Sequence, residues 1–286
     1  MLQFSPRNRA IQTAAAYRND TALGPVPRSV GALDLSSKCV NGQSVLDRFR
    51  TAGAMKALFA RAEDVQAILI NTSGGLTGGD RLRVSAIAGA HSSLTMTTQA
   101  AERAYRADTG HAEIDTDLRV GDGARLNWLP QEMILFEKSS LRRKLTVELA
   151  ASARFLMVEP IVFGRTAMGE RLSQVAFEDR VRINRAGEPL FWDGFDLGGG
   201  AEVHLDRSGV ARGARAMASL IYVAPDAESF LPKLRGALPE TGGVSLLSED
   251  VLALRLLAVD SFELRQSLVP ILEALTQHQM PTSWRL

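Results

Sequence analysis

Apolar and polar residues alternate with a period of two over residues 65–205. Leu82, Val84 and Ala86, for example, are separated by the polar residues Arg83 and Ser85. In a strand, side chains at every second position share a face, whereas a helix repeats every 3.6 residues. No helical stripe of 12 residues interrupts the pattern. The alternation therefore predicts a mainly β fold of many short strands, and it disfavours a parallel sheet with crossover helices.

Two local patterns within this region predict particular conformations. Gly121, Asp122 and Gly123 lie between two alternating segments, which is typical of a hairpin turn. The segment from Thr98 to Arg106 is rich in alanine, so a short helix is predicted there. The rest of the region is expected to consist of strands and turns.

The sequence pattern changes after Gly213. Residues 217–277 indicate, in order, a strand, a helix, two strands and a helix. We therefore predict three parts: a poorly ordered N-terminal lead (1–28), a β-rich body (29–213) and a C-terminal α+β unit (214–286) packed on the body. The last helix carries an apolar stripe, which could cover either the body or a partner protein. The stripe consists of Leu264, Leu268, Ile271, Leu272 and Leu275.

Charge and composition exclude several classes of function. Lys and Arg number 33 and Asp and Glu 32, so the net charge of +1 gives no general attraction for nucleic acid. No apolar stretch approaches the roughly 20 residues that span a bilayer, and no export signal is evident, which predicts a cytoplasmic protein without membrane contact. Cys39 is the single cysteine, and the four histidines lack zinc-ligand spacing. No tight metal site is therefore predicted.

A glycine-rich segment follows the apolar run that ends at Ile70. It lacks the Gly-Lys-Ser/Thr of a phosphate-binding loop, and a strand pattern rather than a helix follows it, so nucleotide binding is disfavoured. We predict instead a tight turn in which glycines adopt positive φ angles. Asp80, at the end of this turn, could cap backbone N–H groups or accept a cation. The glycines are Gly74, Gly75, Gly78 and Gly79.

Three other carboxylates stand out by their surroundings. Glu132 follows a Trp-Leu-Pro-Gln run that ends a predicted strand, and Asp193 follows a tryptophan. Glu159 lies within an apolar stretch, where an unpaired charge would cost several kcal/mol. Glu159 is therefore expected to have either an ion-pair partner, for which Arg165 is the candidate, or a function.

Paired carboxylates also permit an enzyme, because a glycosidase uses one as acid and the other as base or nucleophile. The aromatic content of 6%, with three Trp and three Tyr, supplies few surfaces on which a sugar could stack. The sequence contains no GxSxG nucleophile elbow. A carboxylate-dependent, glycosidase-like hydrolase on an all-β frame is therefore the alternative to a non-catalytic protein.

Five longer motifs occur along the chain in a characteristic order. They are Ser73–Leu82, Thr97–Ala107, Arg125–Glu137, Phe163–Glu170 and Pro281–Arg285. With these motifs the chain resembles the urease accessory protein D family, called UreD or UreH, from residue 30 to the last residue. Tyr105, Arg106, Arg165 and Glu170 lie within the matching motifs.

The resemblance implies a β-helix-like, non-catalytic scaffold in urease maturation. Such a scaffold would bind accessory protein F directly and, through it, the GTPase accessory protein G, and would join both to apo-urease. Nickel would pass through the protein in transit, no cofactor would be tightly bound, and GTP would belong to the GTPase. The resemblance also implies a nickel path through carboxylates, for which the candidates are Asp80, Glu132, Glu159 and Asp193.

Overall fold

A computed structural model describes residues 27–165 and 168–284. The predicted N-terminal lead lies outside the described residues, except for its last two positions. The described chain is built mainly from strands, which confirms the predicted fold class. The strands are β1 (Val30–Val40), β2 (Gln43–Gly53), β3 (Met55–Phe59), β4 (Val65–Asn71), β5 (Arg81–Ala88), β6 (Ser93–Thr98), β7 (Glu102–Ala104), β8 (Ala112–Val120), β9 (Arg125–Leu129), β10 (Met133–Leu135), β11 (Ser140–Leu149), β12 (Arg154–Phe163), β13 (Val175–Arg185), β14 (Glu188–Gly199), β15 (Ala216–Val223), β16 (Gly242–Ser248) and β17 (Val251–Ala258).

Helices occur only towards the C-terminal side of the described chain. They are α1 (Ala201–Leu205), α2 (Ala227–Ala237) and α3 (Ser261–Leu275), with a short 3₁₀ turn at Thr282–Trp284. Within the described residues, no helix combines the length and the apolar character that crossing a membrane requires.

The strands form two sheets, and the chain winds between them as a solenoid. The seven-stranded sheet has the order β14-β13-β11-β8-β5-β1-β2. The other sheet has the order β16-β17-β15-β12-β9-β6-β4-β3, with β7 and β10 attached beside β12. From β5 to β13 most successive strands lie in alternate sheets, so each full coil of the solenoid places one strand in each.

Parallel pairing dominates the middle of both sheets. β5, β8, β11 and β13 pair in parallel in one sheet, and β4, β6, β9 and β12 pair in parallel in the other. The connections between parallel neighbours are strands of the opposite sheet rather than helices. Parallel sheets without crossover helices are therefore compatible with a sequence that alternates throughout, because each strand has one face on the core.

The two local predictions are wrong. The turn at Gly121–Gly123 does not close a hairpin, because β8 lies in one sheet and β9 in the other. The predicted helix from Thr98 to Arg106 is replaced by the end of β6 and by β7, which pairs in parallel with β10. Pairing with β10 satisfies the β7 backbone, and this tertiary contact overrides the helix preference of its alanines.

A second core lies under the C-terminal helices. β15 and β17 extend the sheet beyond β12, and α3 packs its stripe against their outer face. The buried stripe consists of Leu264, Leu268, Ile271, Leu272 and Leu275. The stripe therefore covers the chain's own sheet rather than a partner. The boundary predicted between residues 213 and 214 remains a prediction, since the sheet is continuous there.

We expect Leu268→Ala to lower the free energy of unfolding by about 2–5 kcal/mol, because it leaves a cavity between α3 and the sheet. Phe262→Ala, on the same helix, is the matched control, since Phe262 is 67% exposed. Its effect should stay within about 0.5 kcal/mol. Urea denaturation of both variants measures the difference, and equal effects would contradict the packing described for α3.

Candidate functional site

The glycine-rich turn connects β4 to β5 and uses its glycines for two different reasons. Gly74, Gly75 and Gly79 have φ angles of +78°, +149° and +91°, which favour glycine. Gly78 lacks the expected positive φ angle, and a Cβ at this position would instead overlap the carbonyl oxygen of Thr109. The turn therefore needs Gly78 for close backbone approach.

Asp80 closes this turn with both carboxylate oxygens. Oδ1 accepts a hydrogen bond from the backbone N–H of Ser29 at 2.7 Å, and Oδ2 accepts one from the N–H of Thr77 at 2.8 Å. The side chain is buried. Of the two roles considered for Asp80, capping is the one that its contacts support, and a role in the nickel path remains a prediction.

Tyr105 and Arg106 hold the opposite side of the turn. The Tyr105 ring lies where a Cβ on Gly75 would stand, and its hydroxyl donates to the carbonyl oxygen of Gly74 at 3.2 Å. The carbonyl oxygen of Arg106 accepts a hydrogen bond from the Thr77 hydroxyl at 2.7 Å. Both residues thus fix the conformation of the turn.

Arg165 pairs with Glu170 and not with Glu159, so the expected ion pair is wrong. The guanidinium donates from Nη2 to Oε1 at 2.9 Å and from Nε to Oε2 at 3.1 Å. It also lies over the Phe136 ring, 4.2 Å from the centroid. The hydrogen bonds from Arg165 lower the pKa of Glu170.

Glu132 attaches α3 and the C-terminal segment to the loop after β9. Its Oε1 accepts a hydrogen bond from Arg265 Nη1 at 3.0 Å. The same Arg265 donates to Gln131 Oε1 at 2.7 Å and to the carbonyl oxygen of Trp284 at 2.9 Å. The Trp284 indole in turn donates to the carbonyl oxygen of Leu129 at 2.9 Å. These contacts support a structural role for Glu132.

Glu159 belongs to a buried charge cluster between the two sheets, formed with Arg143 and Asp179. Arg143 forms an ion pair with Glu159 and donates to Asp179 from Nε at 3.0 Å and from Nη2 at 2.6 Å. The Trp128 indole N–H donates to Glu159 Oε1 at 2.7 Å. The cluster therefore holds one cation and two carboxylates, all removed from solvent.

Burial sets the protonation behaviour of the buried charge cluster. It raises the pKa of Glu159 above the ordinary value, and the nearby Asp179 raises it further, whereas Arg143 and the Trp128 hydrogen bond oppose the rise. The pKa of Arg143 is raised by its two carboxylates, so the guanidinium stays charged. Burial therefore favours the protonated form of Glu159 relative to an exposed glutamate, which is the direction of its raised pKa.

Two cavities meet at Glu159. The larger, of about 170 Å³, lies between the sheets, and its lining includes Glu102, Trp128, Arg143 and Glu159. The smaller, of about 20 Å³, is the size of one water molecule and is also lined by Glu159. Its other polar lining residues are Asp179, Ser219, Asp193 and Arg255. Glu159 is thus the carboxylate common to both spaces.

Asp193 closes the smaller cavity by an ion pair with Arg255, which joins β14 to β17. Among the four candidates for the nickel path, the structure places Glu159 and Asp193 on one cavity. It places Asp80 in the turn and Glu132 beneath α3. Each candidate's role in nickel transfer remains a prediction.

Sequence reasoning missed Glu102, Arg143 and Asp179. Glu102 accepts a hydrogen bond from Asn71 Nδ2 at 3.1 Å, and burial raises its pKa. Arg143 and Asp179 occupy core-facing positions of β11 and β13, where the flanking alternate residues are apolar. For Arg143 and Asp179, the sequence signal was a charged residue at a position where the alternating pattern places apolar ones. No comparable signal marked Glu102.

Side chains that could ligate a metal ion are dispersed in the part of the chain that the structure describes. Over residues 27–165 and 168–284, no group of three His, Cys, Asp or Glu side chains is arranged to hold a metal ion. The carboxylates that border the cavities are bound to protein donors, with Glu159 and Asp179 on Arg143, Glu102 on Asn71 and Asp193 on Arg255.

Fold and site together define a two-sheet β-solenoid protein with carboxylates along internal cavities. A family model described as UreD urease accessory protein matches residues 29–285, and the chain belongs to this family. Membership confirms the resemblance found in the sequence motifs and gives the chain a role in urease maturation.

Relatives named urease accessory protein UreD match along almost their whole length. The relative from Roseobacter denitrificans is 52% identical over 91% of this chain and 96% of its own. The relative from Ruegeria pomeroyi is 49% identical over 89% of this chain and 100% of its own. The relative from Brucella suis is 42% identical over 94% of this chain and 99% of its own.

We expect Gly78→Ala to destabilise the protein more than Gly74→Ala. Gly74→Ala introduces only the strain of a positive φ angle, about 1 kcal/mol, since no atom lies within 4 Å of its Cβ. Gly78→Ala must also displace the Thr109 backbone. Gly198→Ala, with an ordinary φ angle and open space around its Cβ, is the control. Thermal denaturation ranks the three, and a neutral Gly78→Ala would refute the close approach.

The raised pKa of Glu159 predicts a particular pH dependence of stability. The folded protein holds this proton more tightly than the unfolded chain, so its contribution is complete below the ordinary value of 4.5 and is lost as the pH rises through the folded pKa. Glu159→Gln should remove this loss. The difference in unfolding free energy between wild type and variant, measured by denaturation across pH 4.5 and above, tests this.

Glu170→Gln is the control with the opposite sign. Because hydrogen bonds lower the pKa of Glu170, its contribution is present above 4.5 and is lost as the pH falls through the folded pKa. Identical pH profiles for the two variants would show that the buried charge cluster does not govern the effect.

Proposed function

We propose that the chain is a non-catalytic scaffold of urease maturation in the cytoplasm. It binds accessory protein F, recruits the GTPase accessory protein G through it, and presents both to apo-urease. It also offers nickel an internal route towards the urease active site. The observation that carries the route is the position of Glu159 at the junction of two cavities, with Glu102 on one and Asp193 on the other.

The charge of this region suits a cation in transit. Arg143 neutralises only one of the two carboxylates around it, so the ionised cluster keeps a surplus negative charge. Carboxylate oxygens are hard ligands, and separated ones bind a divalent ion less firmly than a cage of thiolates and imidazoles. Nickel would therefore be attracted without being trapped, and it remains cargo rather than a resident cofactor.

The alternative of a glycosidase-like hydrolase is less well supported. Glu159 and Asp179 share one guanidinium deep between the sheets. The larger cavity, about 170 Å³, is small beside the roughly 300–1,000 Å³ of pockets that enclose drug-sized ligands.

We expect Glu159→Gln, Asp193→Asn and Glu102→Gln to leave complex formation intact and to lower the nickel content of urease severalfold when nickel is limiting. The amide replacements keep side-chain size but remove the negative charge that attracts a cation. Co-purification with proteins F and G, urease nickel content and urease activity are measured together. Asp117→Asn, on the outer face of the seven-stranded sheet, is the control and should behave as wild type.

Measuring the complex and the nickel content together distinguishes a residue on the nickel route from a residue with a structural role. A structural residue loses the complex first, whereas a route residue loses nickel while the complex persists. If all three variants assemble normally and urease fills to the wild-type level, nickel does not pass these carboxylates.

A further inference from the structure

A row of polar and small residues crosses the core-facing side of the sheet that ends in β16. Glu159 of β12 pairs with Ser219 of β15, and Ser219 pairs with Arg255 of β17. Arg255 pairs in turn with Gly243 of β16, the edge strand. We call these four residues the polar row. It leads from the buried charge cluster to the edge of the sheet.

The rows on either side of the polar row are apolar. Their members belong to the core between the sheets or pack against it. One consists of Met157, Ile221 and Ala253, and the other of Ile161, Met217 and Leu257. Residues two apart along a strand share a face, so the polar row lies on the same face as its apolar neighbours. The polar row is therefore a polar strip across an otherwise apolar face.

Exposure increases along the polar row. Glu159 is 5% exposed, whereas the side chain of Arg255 is 55% exposed. Gly243 is exposed, and no atom lies within 4 Å of the place where its Cβ would stand. The smaller cavity follows the same direction, because its lining includes Glu159, Ser219, Arg255 and the exposed Gly194. The cavity thus extends from the buried charge cluster to residues at the surface.

An ion pair between the two sheets closes this cavity at the surface. Arg255 of β17 pairs through Nη2 with Asp193 Oδ2 of β14, and the Gly194 N–H donates to Asp193 Oδ1 at 3.0 Å. We call Asp193, Gly194 and Arg255 the mouth. The Arg143 side chain is 9% exposed and would leave its carboxylates only at a large cost in desolvation, whereas exposed pairs such as Arg255–Asp193 separate easily. Arg255 is therefore free to turn into solvent.

We propose that Arg255 gates the mouth and thereby controls the passage of nickel through the smaller cavity. In the closed state its guanidinium neutralises Asp193 between the sheets. A divalent cation that reaches Asp193 replaces the guanidinium, which turns into solvent, so cation binding favours the open state. The inference deepens the proposed nickel route and rests on it, since it assumes that nickel passes Glu159 and Asp193. The competing role for the pair is a structural tie between β14 and β17.

Thiol labelling measures opening of the mouth without a partner or a metal. Ser219→Cys places a thiol on the polar row next to Arg255, and Cys39→Ser removes the chain's own cysteine. The purified full-length chain is treated with aminoethyl methanethiosulfonate, which forms a mixed disulfide with the thiol and releases methanesulfinate. A closed mouth admits the reagent only in its minor open state. Adding Arg255→Met should therefore accelerate labelling about tenfold or more.

Two further variants distinguish a gate from a structural tie. Arg255→Lys keeps a cation beside Asp193 and should label at the rate of the parent protein. Arg142→Met removes a pair of similar exposure, with Glu178 at 3.3 Å, from the outer face of the seven-stranded sheet, and it should also leave the rate unchanged. Equal acceleration by Arg255→Met and Arg142→Met would indicate general loosening, and no acceleration by Arg255→Met would show that the pair does not close the mouth. Either result overturns the gate.

Nickel loading provides the functional readout. The chain, with Cys39 and Ser219 in place, is mixed with proteins F and G and apo-urease, and the nickel content of urease is followed over time at limiting nickel. Arg255→Met should raise the initial rate severalfold, because the closed state is lost and Asp193 is left free for the cation. Arg255→Lys and Arg142→Met should load urease at the wild-type rate. Loss of a structural tie would give no gain in rate.

The outcomes distinguish the gate from the nickel route itself. If Glu159→Gln lowers nickel loading while Arg255→Met leaves the loading rate unchanged, the route stands and the gate is wrong, whatever the labelling rate. If Glu159→Gln, Asp193→Asn and Glu102→Gln all leave urease fully loaded, the route falls and the gate falls with it. A faster rate in Arg255→Met together with faster labelling of Ser219→Cys supports both.

Discussion

Arg143 is the constraint around which the middle of the molecule is organised. It lies on β11 between two sheets that otherwise bury apolar side chains, and it joins Asp179 of β13 in its own sheet to Glu159 of β12 in the other. Removing such ions from water costs several kcal/mol each, and breaking a buried pair costs about 3–5 kcal/mol. The two carboxylates offset the desolvation of the guanidinium, and the Trp128 hydrogen bond offsets that of Glu159. Apolar side chains could fill the same volume with comparable stability, so stability alone does not account for the cluster.

The sequence predicts which face of a strand or helix is buried better than it predicts which strands pair with each other. A period of two indicates which side of a strand faces the core. In the same way, the helical spacing of apolar residues indicated the face of α3 that is buried. It does not state which strand lies alongside, because a turn of the same composition can close a hairpin or lead to the other sheet. The Gly121–Gly123 turn therefore looked like a hairpin, although β8 and β9 belong to different sheets.

The same limit explains what could be predicted of the site. Glu159 stood out because a charge inside an apolar run needs a partner or a task. The partner could not be found by proximity in sequence: Arg165 is six positions away and pairs with Glu170, whereas Arg143 reaches Glu159 from another strand. Arg143 was also concealed within an Arg-Arg-Lys run, where only the alternation distinguishes the buried position from its exposed neighbours.

The parallel strand ladders end differently at the two ends of the solenoid. At the C-terminal end, α2 and α3 cover the outer face of β15 and β17, and an Arg255–Asp193 ion pair links β17 to β14. At the other end, two antiparallel hairpins, β1–β2 and β3–β4, stop the parallel ladders, and among residues 27–165 and 168–284 no helix covers the last strands. A solenoid normally needs a polar cap at each end, because every coil buries its face only against a neighbour. Within the described residues, the C-terminal end therefore buries a sheet face under helices, whereas the N-terminal end leaves Phe49 of its last strand 42% exposed.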